Sequence, residues 1–182
     1  MVVYVIGIIL GIIIIYIFTT FNSLVRLNNK IKEAFSTMDV YLKKRWDLIP
    51  NIVETVKGYA KHEKDTFEKI TKMRSSTYDS LTDEEKIKTN EELTKGIGKL
   101  IALVEDYPDL KASKNFQKLS EDLTQIEDEI ANSRKYYNAV VRMFNNKVEM
   151  FPSNLIASMF GYQTKPMFEA NEGERENVDV KL

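Results

Sequence analysis

The residues able to do chemistry are few and poorly grouped. His62 is the only histidine, and His62-Glu63 would open a zinc-hydrolase helix only with a second histidine four residues along, where Thr66 stands. No Glu-x-x-His pair offers a di-iron site within a bundle, and a metal needs at least three convergent ligands. His62 therefore reads as a solvated helix histidine. Glu127, Asp128 and Glu129 are acidic, but consecutive helical side chains point apart, so they read as a solvated face. Serines, lysines and tyrosines occur without a nucleophile elbow or a phosphate-cradling glycine loop. Cysteine is absent, which removes disulfides, thiolate metal sites, a cysteine nucleophile and a lipidation cysteine. The reading is of a non-enzymatic chain with no cofactor and no metal.

One stretch does crowd polar residues. Asp39, Lys43, Lys44, Arg45, Asp47, Pro50 and Asn51 fall within four helical turns. Asp39 with Lys43, and Asp47 with Asn51, are spaced as i, i+4 pairs. Proline removes a backbone donor, so Pro50 leaves the Trp46 carbonyl seeking another partner. The block is either an internal structural tie or a contact surface for another subunit or membrane partner, and the spacing leaves both open.

Positioning these residues is the work of helices. Only seven glycines and four prolines occur in 182 residues, too little turn chemistry for a sandwich or barrel. Val2 to Phe18 reads VVYVIGIILGIIIIYIF and no charge precedes Arg26, which suits one helix crossing a hydrocarbon core of roughly 30 Å. A basic n-region and a small-residue cleavage site are both missing, so residues 1–22 read as a retained anchor and not a signal peptide. Gly7 and Gly11 form a GxxxG spacing on which two anchors could pack.

Charge sets the orientation. Arg26, Lys30 and Lys32 follow the anchor while its N-terminal side carries no Lys or Arg, so the positive-inside rule places the bundle in the cytoplasm and the N-terminus outside. Those three bases could also meet anionic lipid headgroups. From Arg26 to Arg74 there are 12 Lys/Arg against 7 Asp/Glu, and from Ser75 to Ser133 there are 7 against 14. Basic residues confined to the membrane-proximal stretch argue against nucleic-acid binding.

Beyond the anchor, apolar positions recur at steps of three and four: Leu24, Leu27, Ile31, Phe35, Met38, Leu42, Trp46, Ile49, Val53, Val56, Ala60, Phe67 and Ile70. The spacing predicts one helix to about Ser75, kinked at Pro50, with a stutter from Met38 through Leu42 to Trp46. Thr82 followed by Asp83, Glu84 and Glu85 predicts a capped helix running to about Glu105. Gly96 and Gly98 within it mark close packing or local flexibility. A third helix is predicted from Phe116 to Phe151, and Pro152 ends it. Leu155, Ile156, Met159 and Phe160 form one face of a short fourth helix that either covers the bundle or docks on a membrane or partner. The fold class is all-α: a single transmembrane helix, then a long antiparallel bundle of three long helices and a short fourth over 23–168, with a disordered polar tail at 169–182.

These residues carry a resemblance. SLVRLNNKIKEAFSTMDVYLKKRWDLIPNIVETVKGYAKHE, then EDYPDLKAS, IANSRKYYNAVVRMFN and FPSNLIASMFGY, resemble the bacterial LemA family from about Ser23 to Phe168. Lys44 and Trp46 are mild variations in its block. The resemblance implies a membrane-anchored antiparallel bundle without an established activity, and association of some relatives with magnetosome membrane formation implies a role in shaping membrane. Membrane lipid and further copies of the chain are the expected partners, an envelope protein the alternative one.

Overall fold

The computed structural model describes residues 1–60, 63–73 and 77–168, and no strand occurs among them. The elements are α1 (Val2–Lys57), α2 (Lys64–Met73), a 3-10 turn (Tyr78–Ser80), α3 (Asp83–Val104), α4 (Pro108–Lys111), α5 (Lys114–Glu149) and α6 (Ser153–Met159). His62 and the tail from residue 169 lie outside the described residues.

Helix α1 runs without interruption from the apolar segment through Phe18–Ser23 and past Pro50. It stops at Lys57, well short of the predicted Ser75. Gly58 is the physical reason: glycine costs a helix about 1 kcal/mol relative to alanine. The amides of Tyr59 and Ala60 both donate to the Val56 carbonyl, at 3.0 and 2.9 Å, and close the last turn. The apolar stripe nevertheless resumes in α2, where Phe67 and Ile70 are buried.

Leu24, Leu27, Ile31, Ala34, Met38, Leu42, Arg45, Ile49, Ile52, Val56 and Ala60 are all buried. Their steps alternate three and four apart from two doubled fours, at Ala34–Met38–Leu42 and at Ile52–Val56–Ala60. Trp46 and Val53 of the predicted stripe are buried as well, so the Met38–Leu42–Trp46 spacing holds and Arg45 widens the buried face beside it.

The described chain forms two compact units, Met1–Phe35 with Arg134–Leu182 and Ser36–Ser133, and α1 and α5 contribute to both. In the first unit, Leu24, Leu27, Ile31 and Ala34 are buried, as are Tyr137, Val140, Val141 and Phe144 of α5. Phe35 meets the Tyr137 ring at 6.1 Å between centroids. Residues 162–168 lie along α5, held by two asparagines. The Asn145 side chain accepts from the Lys165 amide and donates to its carbonyl, both at 2.8 Å. Asn138 does the same for Phe168 at 2.9 Å. Phe168 also lies 5.3 Å from the Tyr137 ring.

In the second unit, α3 begins at a capping box. The Thr82 hydroxyl accepts from the Glu85 amide, and the Glu85 carboxylate accepts from the Thr82 amide, which satisfies two otherwise unpaired donors. Its inward face is Leu93, Ile97, Leu100 and Val104. Gly96 is buried and Gly98 is exposed, so close packing accounts for only the first of the two.

Helix α6 departs from the predicted four-residue face. Ile156 and Ala157 are buried, whereas Leu155, Met159 and Phe160 are exposed, as is Phe151 beyond the end of α5. A helix of seven residues has room for one buried turn, and Ile156–Ala157 fills it.

Candidate functional site

The polar block of α1 splits into an inward and an outward set. Arg45 is wholly buried, and its guanidinium reaches oxygens on two other helices. Nη1 donates to both carboxylate oxygens of Glu127 on α5, at 2.7 and 2.9 Å, and to the Thr94 hydroxyl at 2.9 Å. Nη2 donates to the Asn90 carbonyl at 2.8 Å. A planar fork with five donors, permanently charged, suits this arrangement of acceptors better than an ammonium would. Glu127 is therefore not part of a solvated acidic face: of the Glu127–Glu129 run, only Asp128 is fully exposed.

Asp39 makes the second inward contact. It accepts from the Tyr78 hydroxyl at 2.5 Å and from Lys86 Nζ at 2.9 Å, while the Tyr78 ring lies 5.4 Å from Trp46. Burial, and after it the Asp39 carboxylate, push the Tyr78 hydroxyl far above the usual phenol range. Arg45 and Asp39 thus tie α1 to α3, α5 and the 3-10 turn within one unit. The signal in the sequence was the phase of Arg45, three residues after Leu42 and four before Ile49. Tyr78, Asn90 and Thr94 offered none, since a partner's position follows only from packing.

The outward set remains on the surface. Lys43 pairs with Asp47 at 3.0 Å, replacing the Asp39–Lys43 and Asp47–Asn51 pairings that spacing suggested. Lys44 Nζ lies 5.3 Å over the Tyr41 ring. Asn51 is exposed, Pro50 is half-buried, and the Asn51 carbonyl accepts from Thr55. Tyr41, Lys44, Asp47, Leu48 and Asn51 line one wall of an open groove of about 600 Å³, and Asp122, Gln125, Ile126 and Glu129 of α5 line the other. Its three carboxylates outnumber its single ammonium, so the groove is acidic.

Near the apolar segment, Arg26, Lys30 and Lys32 are exposed. A Cβ placed on Gly7 or Gly11 would meet nothing within 4 Å, so that face of the helix is open. No group of three His, Asp or Glu side chains that could hold a metal ion occurs among the described residues.

Fold and site together define a helical protein with, among the described residues, one helix long and apolar enough to cross a membrane, whose densest polar cluster is consumed in holding helices together. The chain belongs to the LemA family, whose model matches residues 34–182. It is similar to Protein LemA of Metamycoplasma hominis, 31% identical over 160 residues that make up 87% of this chain and 73% of that one. It is also similar to Magnetosome protein MamQ 2 of Paramagnetospirillum magneticum and Magnetosome protein MamQ of Magnetospirillum gryphiswaldense, 30% and 28% identical. Those matches cover 40% of this chain and only about a quarter of each relative, 27% and 26%. The LemA family is not a known enzyme family.

Proposed function

We propose that this protein is a membrane-anchored, non-enzymatic scaffold whose antiparallel helical bundle self-associates at the cytoplasmic face and organises the membrane beneath it. The observation carrying this reading is the continuity of α1, in which the apolar anchor and the first bundle helix are one element. A torque or tilt on such a helix passes directly to the lipid-embedded turns, with no linker to absorb it. Arg26, Lys30 and Lys32 lie exposed just past the apolar run, where each base near an anionic surface adds about 1 kcal/mol of attraction. They also support a cytoplasmic bundle by the positive-inside rule. Similarity to magnetosome proteins adds weight to the membrane-organising part of the reading.

Native mass spectrometry of the detergent-extracted chain, with electron cryo-microscopy of the chain in liposomes, tests the scaffold. Oligomers and deformed vesicles are the expected result, and a strictly monomeric particle on undeformed vesicles overturns it.

A second reading, an adaptor for another envelope protein, draws on the acidic groove between α1 and α5. A basic partner segment is the matching occupant. Photocrosslinkers at Tyr41 and Gln125 would then capture a partner in cells, and Asp122→Lys with Glu129→Lys would abolish the capture. Arg45 is unsuitable for such a test, since reversing a buried charge would disrupt the fold itself.

A further inference from the structure

The turn from α5 into α6 carries an apolar surface that the core does not use. Met150 is 62% exposed, Phe151 79%, Leu155 63% and Met159 64%. No charged residue occurs between Glu149 and Lys165. Exposed apolar groups scattered singly need no explanation, but a contiguous cluster does. Its position within the first unit identifies what covers it. Asn146, Met150, Phe151 and Pro152 share a cleft with Tyr16, Thr19 and Thr20 of α1, and Phe160 packs on Phe21 with ring centroids 4.5 Å apart.

Depth along the anchor then decides the environment. At 1.5 Å per residue, a hydrocarbon slab of roughly 30 Å entered at Val2 is not left until about Phe21. Tyr16 to Thr20 therefore occupy the last turn or so inside the slab, and the α5–α6 tip lies beside them. A water-soluble partner cannot reach a surface at that level, whereas lipid is already there. The uncharged composition of residues 150–164 fits that medium, and charges return at Glu149 and Lys165 on either side.

We propose that Met150, Phe151, Leu155 and Met159 form a lipid-inserted wedge, a second point of entry into the cytoplasmic leaflet alongside the anchor. This rests on the reading of residues 1–22 as a membrane span. The anchor crosses both leaflets, so the wedge is the insertion that displaces headgroups on one side of the bilayer only, which is the asymmetry that curvature generation or sensing requires.

The absence of cysteine in the native chain allows a clean test. Full-length single-cysteine variants Phe151→Cys, Leu155→Cys, Ile9→Cys and Lys135→Cys are labelled with an environment-sensitive nitrobenzoxadiazole dye. They are reconstituted in phosphatidylcholine–phosphatidylglycerol vesicles carrying lipids spin-labelled at shallow or deep acyl positions. All four native side chains are exposed, so labelling leaves the core intact, which circular dichroism verifies. The wedge predicts blue-shifted emission at 151 and 155, at least twofold stronger quenching by the shallow than by the deep spin label, and protection from aqueous iodide. Position 135 should behave as water-exposed and position 9 should be quenched most by the deep label. Deep quenching at 9 with iodide access at 151 and 155 overturns the wedge and leaves the span standing. Iodide access at 9 as well overturns both. Positions 151 and 155 shielded from iodide and from both spin labels would mean a second copy covers them, which also overturns the wedge.

Discussion

Replacing Arg45 by methionine keeps the aliphatic stem and removes the donors, leaving the Asn90 carbonyl and the Glu127 carboxylate without the guanidinium. Removing one partner of a buried ion pair costs about 3–5 kcal/mol. The Glu127 side chain retains 34% of its exposure, so water relieves part of that loss, and Arg45→Met should cost about 2–3 kcal/mol. Glu127→Ala should be worse. It deprives a guanidinium of 0% exposure of its counter-carboxylate, and the group cannot shed its proton, which places the cost at about 4 kcal/mol. The double variant Arg45→Met with Glu127→Leu removes both charges and should recover much of that deficit. Trp46 is the only tryptophan, is buried and neighbours Arg45 in sequence, so its fluorescence reports unfolding of the full chain in detergent against urea. With a slope of about 2 kcal/mol per molar urea, 3 kcal/mol appears as a midpoint shift of about 1.5 M. Equal costs for the two single variants, or a double variant whose loss is their sum, would refute the argument that burial of the charge makes this cluster structural.

Thr82→Ala should lower stability by about 1 kcal/mol through loss of the cap, read as faster amide exchange in the first turn of α3. The Thr82 amide and hydroxyl hold the Glu85 carboxyl below its usual range. Its contribution to that turn is therefore present above the unfolded value of about 4.3 and disappears as pH falls through the lower folded value. Nuclear magnetic resonance titration of Glu85 should show a smaller depression in Thr82→Ala than in wild type, because the variant keeps the residue-82 amide and loses the hydroxyl. For Tyr78 the sign is opposite: the protonated phenol is favoured in the fold, so its stabilisation is complete below about pH 10 and declines as pH rises beyond that. Tyr78→Phe should lose that alkaline component of the urea midpoint. Asn138→Ala and Asn145→Ala each delete two hydrogen bonds to the 162–168 segment and should cost about 1–2 kcal/mol each. Limited proteolysis should then cut between Tyr162 and Phe168 sooner than in wild type.

Local pattern alone determined most of the helical content: the apolar start of α1, the start of α3 at Thr82 and the long run of α5 all follow from residue pattern and cap chemistry. The end of α1 was written in Gly58 but hidden by an apolar stripe that carries on into α2. Tertiary structure alone decided which charged residues lie inside. Arg45 sits in the heptad phase, yet its burial depends on Glu127, Thr94 and Asn90, residues 45–82 positions away. A charge enters a core only where folding supplies its acceptors. The exposure of Leu155, Met159 and Phe151 was likewise beyond the sequence, which shows that a residue is apolar but not whether protein or lipid is its solvent. That distinction came from the turns of α1 against which the α5–α6 tip is packed.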